Sequence, residues 1–409
     1  MSAARAPLKK GYKYRVYPTP EQQEQLAGLF GANRFLWNLL IDKTEKAYQI
    51  YQEQLKLDPV NPPDYPKTDG YSFCSMTPAL KQEHPWMKDH SSVTFQQTAL
   101  HLGNAYKVFF QGRKLSRKPG KTRFKSKRNH QSVSLTKNGF ILKDGQFTIA
   151  KMKEPLSVVW SRDLPSEPSS CTLSMTPSGE YYVSFTCEYT PPKTSGTNVT
   201  GIDLGLTHIA TLSDGSKIDN PRHYQTAQKS LKRLQQSLSR KQKGSKNRTK
   251  ARIRVARCHQ RISTQRKDHL HKLSRTLVNE NQVIGLESLK VSNMVRNRKL
   301  AKHIHSAAWA TLTRFIAYKA KESQHCKVIL MHPFFPSSHI CAVTGKKLDR
   351  KLDLRERTCF CPHCGQKHDR DVNAAQVIAT EALHQVAWHG LLRDPNAGHV
   401  YVADLTSAR

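Results

Sequence analysis

Acidic residues are scarce in this chain. Asp and Glu number 31 against 66 Lys and Arg, which leaves a net charge of +35 over 409 residues. That excess is too large for ordinary surface solubility. It points to nucleic acid, whose binding is dominated by phosphate neutralisation by Lys and Arg. Long apolar runs are missing too. None approaches the roughly 20 residues of a spanning helix, and the positive charge is spread along the whole chain, so a membrane partner is not expected. Met1-Ser2-Ala3-Ala4-Arg5 is not followed by an apolar core. No secretory signal is therefore expected, and a cytoplasmic location is, nucleoid-associated if bacterial. Cysteines are odd in number, at nine. Without a secretory signal they argue against a disulfide framework, and their clustering near the C-terminus argues for metal.

Residues 11–18 alternate as a strand that Pro18 stops. Thr19-Pro20-Glu21 reads as a helix start, a threonine cap with Pro at the first helical position. Leu26, Leu29, Phe30, Phe35, Leu36, Leu39 and Leu40 then predict two helices broken near Gly31. Prolines 59, 62, 63 and 66 mark residues 57–71 as a loop, and a further helix is expected over about 92–112. Its polar side carries Gln96, which could touch bases or simply face water. Residues 113–130 form a basic run, with Arg113, Lys121, Arg123, Lys125 and Lys127 around Phe124. A basic loop with an aromatic inside it suits a nucleic-acid backbone. Short apolar segments separated by Asn-Gly, Asp-Gly and Ser-Gly turns over 131–190 suggest a small antiparallel barrel, which the strand at 11–18 could complete. A linker follows at 189–198. Residues 222–280 read as a basic helical hairpin turning at Lys243-Gly244-Ser245-Lys246-Asn247; Arg233, Arg240 and Lys241 on it are candidate phosphate contacts. One amphipathic helix is expected at about 305–323 and a strand at Val328–Met331.

Three carboxylates stand out. Asp203 lies in Gly201-Ile202-Asp203-Leu204-Gly205 and Glu287 in Ile284-Gly285-Leu286-Glu287, both within apolar strand patterns. A carboxylate there is expensive unless compensated, and a metal ion or a lysine could do it. Gly201 and Gly205 are read as leaving space beside Asp203 for a phosphate or metal. The third carboxylate is Asp371 or Asp369, at the start of a helical pattern in His368-Asp369-Arg370-Asp371-Val372-Asn373; one of the two is needed as its cap. Together the three could hold two Mg²⁺ ions about 3.5–4 Å apart, an arrangement that hydrolyses phosphodiesters. Between the second and third lies a zinc-ribbon spacing: Cys341, then Cys361-Pro362-His363-Cys364. Thr344 stands where the first knuckle should have its second thiolate, so a fourth donor is needed. Cys359 is the foremost candidate, with His339, His363 and His368 as others.

On these motifs, together with Tyr14-Arg15-Val16-Tyr17-Pro18-Thr19 and Asn33-Arg34-Phe35-Leu36-Trp37-Asn38, the chain resembles the TnpB family of transposon-encoded RNA-guided nucleases, related to type V CRISPR effectors. The resemblance implies a multidomain α/β plus β-barrel architecture. A wedge β-barrel (first strand in 1–18, remainder 116–190) would flank a helical recognition domain (19–115). After a linker (191–198) would come an RNase H-like RuvC nuclease (199–335, closing at 368–388) interrupted by a zinc ribbon (336–367), then a tail (389–409). It implies a guide RNA from the transposon end, double-stranded target DNA cut beside a short motif, and catalysis by Asp203, Glu287 and Asp371. Asp371 is preferred over Asp369 because the family's Asp-x-Asn-Ala-Ala pattern begins there. Gln96 would lie where the recognition helix meets the target-adjacent motif. Thr344 departs from the family's zinc ligands. A catalytically silent RNA-guided regulator and an RNase H-like transposase acting without RNA are the alternatives.

Overall fold

Pro18 ends the first strand and Thr19 starts the first helix. The Thr19 hydroxyl accepts from the Gln22 N–H at 3.3 Å while the Gln22 side chain accepts from the Thr19 N–H at 3.0 Å, a reciprocal cap with Pro20 at the first turn. The computed structural model describes residues 7–114, 120–191, 196–350 and 356–388. It divides into two units between Thr190 and Pro191.

The first unit contains β1 (Leu8–Val16), α1 (Pro20–Leu57), α2 (Gly70–Glu83), α3 (Ser92–Lys114), β2 (Gln131–Thr136), β3 (Phe140–Lys143), β4 (Gln146–Ile149), β5 (Val158–Val159), β6 (Ser170–Met175) and β7 (Tyr181–Tyr189). Where two helices were expected, α1 runs uninterrupted through Gly31. A glycine inside a helix costs about 1 kcal/mol relative to alanine. Burial of Leu26, Leu29, Phe30, Leu36 and Leu40 on either side outweighs that. The sequence pattern gives no warning of α2. Its start is set by Asp69, whose carboxylate accepts from the N–H groups of Tyr71 and Ser72 at 2.9 and 3.0 Å. It packs so closely on α3 that a Cβ at Gly103 would lie 2.2 Å from the Gly70 nitrogen. Buried Asn33 ties α1 to α3, donating to Thr94 Oγ1 at 3.0 Å and accepting from Thr98 Oγ1 at 2.8 Å.

The strands form an antiparallel sheet in the order β2-β6-β7-β1-β5, with β1 paired to β7 along nine residues. The expected barrel does not close among the described residues. β5 is two residues long and pairs only with Arg15 and Val16, so β2 and β5 remain as edges. β3 and β4 make a separate hairpin. Its Phe140, Phe147 and Ile149 join Tyr14, Leu173, Val183 and Phe185 in one core, and Phe147 meets Phe185 edge-on at 5.1 Å.

The second unit contains β8 (Asn198–Asp203), β9 (His208–Leu212), β10 (Lys217–Asp219), α4 (His223–Ser239), α5 (Lys246–Glu280), β11 (Asn281–Leu286), α6 (Val291–Met294), α7 (Arg298–Ala307), α8 (Trp309–Ser323), β12 (Lys327–Leu330), β13 (Thr358–Cys361), β14 (Gln366–Asp369) and α9 (Arg370–Trp388). Its mixed sheet has the order β10-β9-β8-β11-β12, with β8, β11 and β12 parallel. Helices cover both faces, as parallel strands require. Ile202, Ile284, Leu286 and Val328 pack with Leu270, Leu277, Leu312 and Ile316 of α5 and α8. Val283 and Ile329 pack with Ile378, Ala382 and Val386 of α9. The single helix expected at 305–323 is broken at Ala308, which takes a left-handed φ of 55°. α4 and α5 form the basic hairpin. Ser245 caps α5, and the Arg248 guanidinium closes the turn by donating to the carbonyls of Leu238 and Lys241 at 3.0 and 2.7 Å. No described helix is long and apolar enough to cross a membrane.

Candidate active site

Asp203 is the last residue of β8 and Glu287 the first after β11, so both carboxylates sit at strand ends and not inside strands as the sequence pattern suggested. β8 and β11 pair in parallel with Gly201 opposite Gly285 and Ile202 opposite Leu286. Continuing that register places Asp203 beside Glu287. Side chains alternate along a strand, so both carboxylates share the face of Gly201 and Gly285.

That face is covered by α9. A Cβ at Gly201 would lie 2.0 Å from the Ala375 carbonyl oxygen and 2.4 Å from the Ala379 nitrogen; one at Gly285 would lie 2.8 Å from the Ile378 carbonyl. The expected open space beside Asp203 is therefore not there. Helix backbone fills the gap at Gly201, and at Gly205 a Cβ would meet the His208 carbonyl at 2.8 Å. The glycines instead let α9 lie against the strands. One turn before Ala375 on that helix is Asp371, which is thereby brought to the ends of β8 and β11.

The two aspartates of the third motif have separate tasks. Asp369 caps α9, accepting from the N–H groups of Asp371 and Val372 at 3.1 Å each, and it pairs with Lys217 at 2.6 Å. Burial alone would raise its pKa; the Lys217 ammonium and the two N–H groups outweigh burial and hold it below the ordinary value. Asp371, in the first turn, is left to face the site.

The electrostatics show that the three groups interact. Asp203 is pushed up to about 8, first by desolvation and then by the neighbouring charges of Glu287 and Asp371. Glu287 is also raised by desolvation, against the lowering effects of a 2.9 Å hydrogen bond from Ser337 Oγ and of Arg370. Arg357 NH1 lies 3.5 Å from both oxygens of Asp371. The oxygens do not gather within 4.8 Å of one another as the ribbon thiols do. Two half-buried carboxyl groups, each made less acidic by its surroundings, form a hard-oxygen donor set that a divalent cation fits, since its charge would offset the repulsion. Sequence reasoning missed Ser337, Arg357 and Arg370. Arg370, between the two aspartates, was the legible one.

In the ribbon, the sulfur atoms of Cys341, Cys361 and Cys364 lie within 4.8 Å of one another. Both knuckles fold alike, with Gly345 and Gly365 at φ 68° and 69° donating back to the carbonyls of Cys341 and Cys361. Thr344 keeps the first turn without supplying a thiolate. Cys359 is not part of this cluster, contrary to expectation. It sits two residues before Cys361 on β13, roughly 6.6 Å along the strand at the usual rise, and burial raises its thiol pKa. Asn373 clips the ribbon to α9, donating to the Ile340 carbonyl at 2.7 Å and accepting from the Ala342 N–H at 2.9 Å.

The candidate nucleic-acid contacts separate by surroundings. Gln96 is exposed on α3, and Arg233, Arg240, Lys241 and Lys127 are exposed. Lys121 is paired with Glu45 at 2.7 Å. The loop carrying Arg123 and Lys125 is strapped to α1: Trp37 Nε1 donates to the Arg123 carbonyl at 3.1 Å, Asn38 bonds the Lys125 backbone in both directions, and the Lys125 ammonium lies 3.8 Å from the Trp37 ring centroid. Phe124, 56 % exposed, borders an open cavity of about 510 Å³ with Phe35, Asn38 and Asp42. The Arg113 side chain and residues 389–409 lie outside the described residues.

Comparison with known proteins shows the family. A family model described as a probable transposase, of the OrfB IS605 type, matches residues 181–298. One for the Cas12f1-like TNB domain matches 309–378. A helix-turn-helix model matches 7–53, residues that here form β1 and most of α1. A candidate RNA-guided DNA endonuclease of Streptomyces pristinaespiralis is 40 % identical over 382 residues, 92 % of this chain and 90 % of the relative. The chain belongs to the TnpB family. Another relative of this TnpB-family chain, the candidate RNA-guided DNA endonuclease InsQ of Escherichia coli K12, is 27 % identical over 90 % of this chain and 91 % of its own length. A cryo-EM structure of a Cas12f1–sgRNA–target DNA complex aligns with a TM-score of 0.49 at 12 % identity, over 91 % of this chain and 99 % of that one.

Proposed function

We propose that this chain is an RNA-guided DNA endonuclease that hydrolyses phosphodiesters of double-stranded target DNA at Asp203, Glu287 and Asp371. The observation that supports the reading is that the register sets Asp203 and Glu287 side by side at the ends of β8 and β11, with α9, the helix of Asp371, seated against the same face by two glycines. A net charge of +35 supports a polyanionic partner. The names of the long relatives support RNA as the guide and DNA as the substrate.

Two Mg²⁺ ions held by the three carboxylates would supply an activated water and stabilise the developing charge on the leaving 3′ oxygen. The residues around them set up the site. Asp203, pushed up to about 8 by burial and by the charges of Glu287 and Asp371, would be one of the groups that hold the ions, and their charge would favour its ionised form. Ser337 donates a hydrogen bond to Glu287 and favours its ionised form. Asp369 and Lys217 fix the first turn of α9, so Asp371 does not have to serve as its cap. Arg357 holds the Asp371 carboxylate from the solvent side.

A second reading, a transposase acting without RNA, is favoured by the description of the family model that matches residues 181–298. One experiment separates the two. The protein is purified from cells carrying its native flanking DNA, the co-purified RNA is sequenced, and duplex DNA matching that RNA is offered with Mg²⁺. Cutting confined to the matched duplex is expected. A nucleic-acid-free protein that cuts or joins DNA without RNA would establish the transposase instead.

A further inference from the structure

The ribbon has three thiols and needs a fourth donor, and on that zinc reading the structure contains a group in position to be one. His368 Nε2 lies 3.2 Å from Cys364 Sγ and 3.7 Å from Cys341 Sγ, while those two sulfur atoms are 3.7 Å apart. Zinc bonds of about 2.3 Å to sulfur and about 2.0 Å to nitrogen give a tetrahedron whose edges are roughly 3.5–3.8 Å. Three of the six edges are thus already near their bound lengths. The circle of 4.8 Å takes in the three thiols without His368, so its ring would close on Cys361 when an ion binds.

The other donors are worse placed. His363 Nε2 faces Asp349 at 3.9 Å. Cys359 is opposite His368 in the ribbon register, so both sit one two-residue step along the strands from Cys361. The short cysteine side chain cannot cover that step, and the longer imidazole can. His339 has a buried Nδ1 without a partner, but no contact joins it to the thiols.

We propose that His368 is the fourth ligand of a Cys₃His zinc site with Cys341, Cys361 and Cys364, replacing the thiolate lost at Thr344. The site would also have a mechanical consequence. His368 immediately precedes Asp369, the cap of α9, and Asn373 clips the Cys341 knuckle to the same helix. Metal binding would therefore anchor the end of α9 that carries Asp371.

The test uses the full-length protein with its RNA. Zinc content after dialysis against a chelator is expected at about one equivalent for wild type. The same value is expected for Cys359→Ser, His339→Ala and the conservative His368→Cys, with a fall below about 0.3 for His368→Ala. Because a variant can fail to fold, the wild type is also loaded with Co²⁺. Its visible absorption should show tetrahedral coordination by three thiolates and one nitrogen, shifting toward a four-thiolate spectrum in His368→Cys. A four-thiolate wild-type spectrum, or zinc lost from Cys359→Ser or His339→Ala and kept by His368→Ala, overturns the assignment while leaving a zinc site. Wild type without zinc overturns the zinc reading itself.

Discussion

Replacing Gly201 by alanine adds one methyl group and touches no carboxylate, yet the account requires it to damage the active site. The added carbon would lie 2.0 Å from the Ala375 carbonyl oxygen and 2.4 Å from the Ala379 nitrogen. Both are backbone atoms of α9, so no side chain can turn aside. Ordinary contact begins near 3.5 Å, and the helix must retreat from β8 by more than about 1 Å. Overpacking of this kind costs roughly 1–3 kcal/mol, which for a unit of this size lowers Tm by about 2–4 °C per kcal/mol. The larger effect should fall on cutting, since displacing a catalytic group by about 1 Å costs on the order of 100-fold in rate. Gly285→Ala should be milder, because its nearest obstacles, Cγ2 and the carbonyl oxygen of Ile378, are at 2.8 Å and not at 2.0 Å. The assay is single-turnover cleavage of a matched duplex, with thermal melting and RNA content measured on the same preparations. Wild-type cleavage by Gly201→Ala would refute the idea that α9 is seated by these glycines.

Other consequences are as specific. Removing the Ser337 hydroxyl takes a hydrogen bond worth about 1.5–3 kcal/mol from ionised Glu287. Ser337→Ala should slow cutting by roughly tenfold to a hundredfold and move the acid limb of its pH profile upward. In cation-free protein, folded Asp203 keeps a proton up to about pH 8 that the unfolded chain loses near the ordinary aspartate value of 3.8. Stability conferred by that proton is full below about pH 4 and is lost as pH rises to about 8; Asp203→Asn should flatten this slope in melting curves. Asn33→Ala leaves buried Thr98 without its acceptor, and should lower the stability of the first unit by about 1–3 kcal/mol in a denaturant titration.

The legibility of the sequence was uneven, for physical reasons. The Thr19 cap, the turn at Gly244 and the three carboxylates depend on local chemistry, and the string of residues displays them. The turn spacing suggests a barrel where the sheet is open, because such spacing counts strands but does not say that β5 pairs over only two residues. Gly201 and Gly205 suggest room for a phosphate or metal, but protein backbone takes that room, and at Gly201 it comes from 174 positions later, at Ala375. Asp369 and Asp371 could not be told apart by spacing alone; the hydrogen bonds at the start of α9 separate cap from site. Cys359 looked like the missing zinc donor because it was near in sequence, whereas His368 reaches the thiols through the fold of the ribbon.

The most direct measurement is cleavage and binding of the matched duplex by Asp203→Ala, prepared with its co-purified RNA. The account predicts that cutting is abolished while RNA content and duplex affinity stay within about twofold of wild type, since a carboxylate that holds Mg²⁺ for hydrolysis contributes little to guided recognition. Undiminished cutting by Asp203→Ala would contradict it.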